Sequence, residues 1–376
     1  MAVQLEEFTK NKPNFDFQIS ILTFNIFSSS PKECLFNYFV AIYNIIALPL
    51  VLLHLFNTFN GEINENIMNS ILYAIGMFLY LIKSTFGAYQ RKKIHELREK
   101  IDNLFNTKEA DGDLQEILEE RLKYSVNIWK LCTRWGLRLV FLCTLIYGLK
   151  MRLNTKIGLI VDIPFTNITS PVRKEALLCV QAALIVLMGY VFITMELAVL
   201  FLGVPIASEM NILEDFIRIS NEKFKLTPNF FRQLIEKHCN VFGNVNLLNE
   251  AFSEMTFIQF FSSIVVFLVA FLFLRKNTEQ IENYMLCLCA LMQLLPLCLL
   301  GQYIKVKTDK LSDTLYLINW YELSLKDQKT FLIILGMAQR EYGLKAAGMY
   351  EVNLNTFIQI VKLAFSYCTI LYTFST

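Results

Sequence analysis

Seven stretches of about twenty mostly apolar residues recur along the chain, at 35–56, 66–86, 129–149, 176–202, 252–274, 283–304 and 352–373. A helix of that length crosses the roughly 30 Å hydrocarbon core of a bilayer. It also satisfies its own backbone hydrogen bonds where no water is present to do so. Composition agrees: 55% of the 376 residues are hydrophobic, 18% are charged and 32 are Phe. A soluble domain carries about 25% charged residues, so the apolar excess must face something other than water. The sequence predicts an all-α, polytopic membrane protein of seven spans. Pro49 and Pro296 are expected to kink the first and sixth spans, and Pro205 to close the fourth. No internal repeat is present to support an inverted-repeat transporter.

Orientation follows from where the cations lie. The tail 1–34 and the loops 87–128, 203–251 and 305–351 hold 23 Lys and Arg, against 7 in the alternate loops. The positive-inside rule then puts the N-terminus in the cytoplasm and the C-terminus outside. The sequon at Asn167, a candidate glycosylation site, falls in the outer loop 150–175. The tail carries Glu6, Glu7, Asp16 and Glu33, so the first span is expected to act as its own insertion signal. The inner loops are long. In 229–274 the residues Phe231, Leu234, His238, Val241, Val245, Leu248 and Phe252 recur at helical period. A helix over that range is about 69 Å long and must project beyond the bilayer. The segment 311–345, with Leu315, Ile318, Phe331, Ile334, Leu335 and Ala338, is expected to behave alike.

Several function classes drop out. A net charge of +2 gives no electrostatic basis for nucleic-acid binding. The nine Cys are scattered, mostly in apolar runs, and with three dispersed His they offer no metal-ligand spacing. No cofactor or metal is expected. Enzyme signatures for serine hydrolysis, zinc proteolysis, phosphate loops or dinucleotides are absent. Glu196, in the inner half of the fourth span, is expected to form an ion pair with Lys130, Arg134 or Arg138, which are spaced four apart on the third.

Two features remain for function. In the last span Asn355, Gln359, Ser366, Ile370 and Thr373 share one face within about 60°, with Lys362 at its edge. Such a face is costly in lipid, so it meets either a pore or a polar seam between helices. In a pore, Ile370 is a hydrophobic constriction and Thr373 a polar ring. The outer halves of the second, third, fourth and sixth spans are rich in aromatic and small residues. Tyr73, Gly76, Met77 and Tyr80 share a face on the second, and Phe141, Thr144 and Gly148 on the third. Leu184 and Met188 lie on the fourth, and Tyr284 opens the sixth. These residues are either a small-molecule pocket or ordinary helix packing.

The C-terminal quarter resembles the insect odorant receptors. It reads Leu311-Ser312-Asp313, Leu315-Tyr316, Asn319-Trp320-Tyr321, a run from Phe331 to Gln339, then Asn353-Leu354-Asn355-Thr356-Phe357 with Lys362, Ala364, Phe365, Ser366, Tyr367 and Thr369. The seven-span plan extends the resemblance over the whole chain. It implies a ligand-gated cation channel in the plasma membrane of a sensory dendrite, built as a tetramer with an odorant co-receptor. In that plan 1–34 is a cytoplasmic tail and 35–304 a six-helix ligand-binding bundle. Residues 305–345 form a cytoplasmic anchor and 346–376 the pore helix. Ile370 becomes the gate, with Thr373, Ser366 and Gln359 along the pore. The ligand, a small volatile and mostly apolar molecule, falls among the second, third, fourth and sixth spans. The short 203–251 loop is similar to that of an odorant-tuning subunit. A gustatory-type receptor shares the plan but carries a different motif in its last span. A G-protein-coupled receptor needs the opposite orientation, and a transporter has no use for the last span's stripe.

Overall fold

A computed structural model of the chain describes residues 3–25, 30–59, 65–109, 111–153, 171–223, 228–276, 281–340 and 342–375. It is almost wholly helical: α1 (Val3–Leu22), α2 (Pro31–Thr58), α3 (Glu65–Tyr89), α4 (Arg91–Asn106), α5 (Gly112–Leu153), α6 (Pro171–Lys223), α7 (Pro228–Lys276), α8 (Ile281–Tyr316), α9 (Leu325–Ala338) and α10 (Leu354–Ser375). A two-stranded antiparallel hairpin, β1 (Lys345–Ala346) and β2 (Tyr350–Glu351), joins α9 to α10.

Among the described residues six helices are long and apolar enough to cross a membrane, within α2, α3, α6, α7, α8 and α10. The expected third span lies in α5, a helix of 42 residues. Lys130, Arg134 and Arg138 dilute its apolar run. At 1.5 Å per residue α6 and α7 are about 80 and 74 Å long, far more than the bilayer core needs. α6 packs against α1 and α4, and α7 against α4. The stripe predicted on α7 is the buried face: Phe231, Leu234, His238, Val241, Val245, Leu248 and Phe252 are all buried.

Two expectations change. Pro205 does not end α6, which runs on to Lys223. The lost donor is tolerated because Leu202, Ile206, Ala207 and Met210 on either side are buried against neighbouring helices. The segment 311–345 is not one helix. It turns at Trp320–Glu322 and restarts at α9, where Ser324 caps the helix by accepting from the Asp327 amide at 3.3 Å. The N-terminal stretch forms α1, with Phe8, Phe15, Ile19 and Leu22 buried. Phe15 stacks on Phe201 at 3.9 Å and meets Trp129 edge-on at 4.3 Å. Arg98, itself buried, donates twice to Asp16 at 2.9 and 3.0 Å, locking α1 to α4.

α6 is the hub, touching α1, α3, α4, α5, α7 and α8. α10 lies at the side of the bundle against α7 and α8.

Candidate functional site

Two hollows open along the first half of α6. The first, about 200 Å³, lies between α2, α3 and α6 and is lined by Tyr43, Ile46, Ala47, Leu50, Tyr73, Leu177, Val180, Gln181, Leu184 and Ile185. Its walls are aliphatic except for Gln181 and the Tyr43 and Tyr73 hydroxyls, which hydrogen-bond across α2 and α3. The second, about 140 Å³, lies between α5, α6 and α8. It takes Gly136, Leu139, Val140, Cys143, Thr144, Gly189, Phe192, Ile193, Glu196, Cys289, Met292 and Gln293. The two sets on α6 differ by about 100° around its axis, so one helix serves as wall to both.

Small residues shape the second hollow. A methyl group on Gly189 would stand 2.9 Å from Val140 Cγ1, and one on Gly136 3.2 Å from Ile193 Cδ1. The α5–α6 approach is set by side-chain contact at both points. At the hollow's floor Glu196 pairs with Lys83 of α3, which is only 4% exposed. Two of the cations expected to hold Glu196 are engaged elsewhere: Lys130 donates to Glu7 of α1 at 2.7 Å, and Arg138 lies over the Trp135 ring. The reason is the long register of α5. Lys130 sits beside α1, and Lys83 is the cation facing Glu196. The same bond from Lys130 holds the Glu7 carboxyl below its ordinary value of 4.5.

The residues expected to form a pocket are divided between these places. Tyr73 and Leu184 line the first hollow and Thr144 the second. Met77, Tyr80 and Met188 are packed in the core. Gly76 leaves room for Phe192, whose Cε2 would be 3.6 Å from an added methyl, and Gly148 similarly meets Ala182. Phe141 and Tyr284 point outward, 61% and 54% exposed. Asn167 lies outside the described residues. Sequence reasoning missed Tyr43 because the first span was left out of the pocket. It missed Phe192, Ile193 and Gln293 because nothing in a uniformly apolar run marks which face is hollow.

α10 is packed on one side only. Ile360, Ala364 and Cys368, spaced four apart, are buried. Asn355, Gln359, Lys362, Ser366, Ile370 and Thr373 are exposed on the other side. At 100° per residue the Asn355–Thr373 stripe stands roughly opposite the buried face. The Thr373 hydroxyl donates back to the Ile370 carbonyl at 2.7 Å.

The start of α10 is tied down closely. The Asn353 side chain accepts from the Thr356 amide at 2.8 Å, capping the helix, and donates to Glu351 at 2.9 Å. Lys305 of α8 donates to Glu351 at 2.7 Å and holds that carboxyl below its ordinary value of 4.5. On the other flank Ser253 of α7 donates to the Lys345 carbonyl at 2.6 Å, and Asn249 accepts from the Lys345 amide at 2.7 Å. Gly301 of α8 is required here: a methyl group would lie 2.1 Å from the Val352 carbonyl oxygen. Among the described residues no group of three His, Cys, Asp or Glu is placed to hold a metal ion.

Comparison with known proteins places this architecture. The family model described as 7tm odorant receptor matches residues 62–365. Odorant receptor 33b of Drosophila melanogaster is 30% identical over 153 residues, covering 40% of this chain and 40% of that one. Odorant receptor Or1 of Anopheles gambiae is 22% identical over 140 residues, 36% of this chain and 34% of that one. The aligned part thus spans about two-fifths or less of the curated relatives' length. The solved structure of the insect olfactory receptor OR5 from Machilis hrabei in complex with eugenol superposes with a TM-score of 0.80. It does so over 98% of this chain and 99% of that chain, at 15% identity. At that identity the likeness establishes the fold.

Proposed function

The chain belongs to the 7tm odorant receptor family, and from that premise we propose that it is an odorant-tuning subunit of a ligand-gated cation channel. A small, volatile, mostly apolar molecule enters the hollows beside α6. Burying its surface contributes about 25 cal/mol per Å² and favours the arrangement whose walls fit it best. A differential affinity of a few kcal/mol between closed and open arrangements is enough to move the population. α10 responds by carrying Ile370 off the conduction axis, with Thr373, Ser366 and Gln359 along the water-filled path.

The observation that carries this reading is the bare stripe on α10. A helix with Asn355, Gln359 and Ser366 on its unpacked side is a poor neighbour for lipid. Several copies around an axis would place those groups against water and one another, with Ile370 as the apolar closure. The partners are an odorant co-receptor and, in total, four subunits in the plasma membrane of a sensory dendrite. The N-terminus, α1 and α9 stand on the cytoplasmic side, as the distribution of Lys and Arg favours. The eugenol complex of the Machilis hrabei receptor supports a small-molecule ligand for this chain.

The test is membrane current in cells expressing the chain with and without an insect odorant co-receptor, challenged with a panel of volatiles. Odorant-evoked cation current only in the presence of the co-receptor supports the reading, and Ile370→Ala then raises current in the absence of odorant. Current from the chain alone removes the tuning-subunit role. Substrate flux without channel currents removes the pore.

A further inference from the structure

Two thiols from different helices meet in the second hollow. Cys143 of α5 and Cys289 of α8 both line it, and the two thiols are near enough to interact directly. Both are partly exposed, whereas Cys298 and Cys368 are buried. No disulfide occurs among the described cysteines. α5 and α8 pack directly on one another, so the sulfurs belong to two rigid elements. The other wall residues near them include apolar Val140, Gly189 and Met292 and polar Thr144 and Gln293. This is the one wall of either hollow where the opposing side chains can join covalently.

We propose that Cys143 and Cys289 are an oxidisable dithiol whose closure to a disulfide staples α5 to α8 across the cavity. The oxidant is a small peroxide. One thiol gives up its proton and attacks a peroxide oxygen; the O–O bond breaks, the sulfur keeps the hydroxyl as a sulfenic acid, and the other oxygen takes up the proton and leaves as water or alcohol. The second thiolate attacks that sulfur and displaces the hydroxyl as water. In sum two S–H bonds are replaced by one S–S bond, and the two electrons reduce the peroxide. The sulfurs close to about 2.05 Å, and the wall between α5 and α8 can no longer part. A ligand that needs that wall to move loses its site. The chemistry stands on the cysteine pair alone, while its effect on signalling rests on the ligand role proposed above for this hollow.

The test uses the full-length receptor, expressed with the co-receptor and treated with tert-butyl hydroperoxide. Free thiols are blocked with maleimide before and after reduction, and the labelled peptides are mapped by mass. The expected result is a linked peptide pair containing residues 143 and 289, which reverts with dithiothreitol. It is lost in Cys143→Ser, and in Cys143→Ala should the serine variant fail to reach the surface. The exposed Cys239 reports that oxidant was present. Full maleimide labelling of Cys143 and Cys289 under peroxide that oxidises Cys239 overturns the proposal, as does sulfinic acid at either position without a link. In parallel, peroxide should abolish most of the odorant-evoked current of the wild type, reversibly, and leave that of Cys143→Ser unchanged. A link that forms while the current is untouched keeps the dithiol and removes the ligand role of this hollow. A receptor with no odorant response before peroxide fails the functional reading without touching the peptide result.

Discussion

The hollows beside α6 and the junction at the foot of α10 are built on opposite principles. At the junction nearly every contact is directional. Ser253 donates to Lys345 and accepts from the Gly348 amide at 3.1 Å, Asn249 receives Lys345, and Asn353 caps α10 while holding Glu351. Around the hollows the walls touch through Val140, Ile193 and Phe192, with Tyr43–Tyr73 and Lys83–Glu196 as isolated polar points. Apolar side chains can re-pack at small cost, whereas hydrogen bonds of fixed geometry move together or break. The difference separates the work of the molecule. Under the proposed function, the soft region is the part that accepts ligands of varied shape, and the stiff joint the part that passes a displacement of α7 and α8 to α10.

The comparison breaks most visibly at its exception, the buried ion pair in the soft region. Lys83→Met strands the Glu196 carboxylate in an apolar floor and should cost about 3–5 kcal/mol. The double variant Lys83→Met/Glu196→Leu should recover most of that loss, because a buried pair replaced by apolar groups of similar volume is often neutral. Thermal unfolding of the purified receptor followed by size-exclusion fluorescence reads both. A single variant as stable as the wild type would mean that the pair does not hold the floor.

One substitution made in both regions sharpens the contrast. Gly301→Ala pushes a methyl into the Val352 carbonyl oxygen, a backbone atom fixed by the hairpin. It should destabilise by about 1–3 kcal/mol and uncouple odorant binding from current. Gly189→Ala presses only on Val140 and Thr144 side-chain carbons, which can shift. Its loss of stability should be smaller, with the main effect a changed ranking of odorants as the hollow narrows. Equal loss of stability from the two would erase the distinction between soft wall and stiff joint.

What the sequence revealed follows the same division. Periodic features were legible: the apolar runs and the α7 stripe from Phe231 to Phe252. The order around Leu311, Asn319 and Trp320 was visible too, and its purpose emerges as packing. Leu311 and Leu315 are buried, and Trp320 stacks on Phe331 with centroids 6.2 Å apart. The partner of Glu196 depended on the relative register of α3, α5 and α6, which no single helix encodes. The hollow faces were illegible for a simpler reason. A hollow is where side chains fail to meet, and a run of Leu, Ile, Val and Phe looks the same whether its neighbour touches it or stands back.

The smallest effect tests whether the joint is held by charge or by shape. Lys305 and Glu351 are each more than a third exposed at the side chain, so the pair is screened by solvent. Glu351→Gln keeps the Asn353 contact and should cost under about 1 kcal/mol. Because Glu351 is held below its ordinary 4.5, the folded receptor favours the ionised form. Its stabilisation is complete above that ordinary value and is lost as pH falls through the lower folded one. The unfolding temperatures of wild type and Glu351→Gln should therefore differ slightly at pH 7 and converge as the pH drops below the carboxylate range, whatever acid does to the rest of the chain. A difference that survives acid would assign the joint to packing around Gly301 and Val352, and the lysine would then contribute nothing to holding α10.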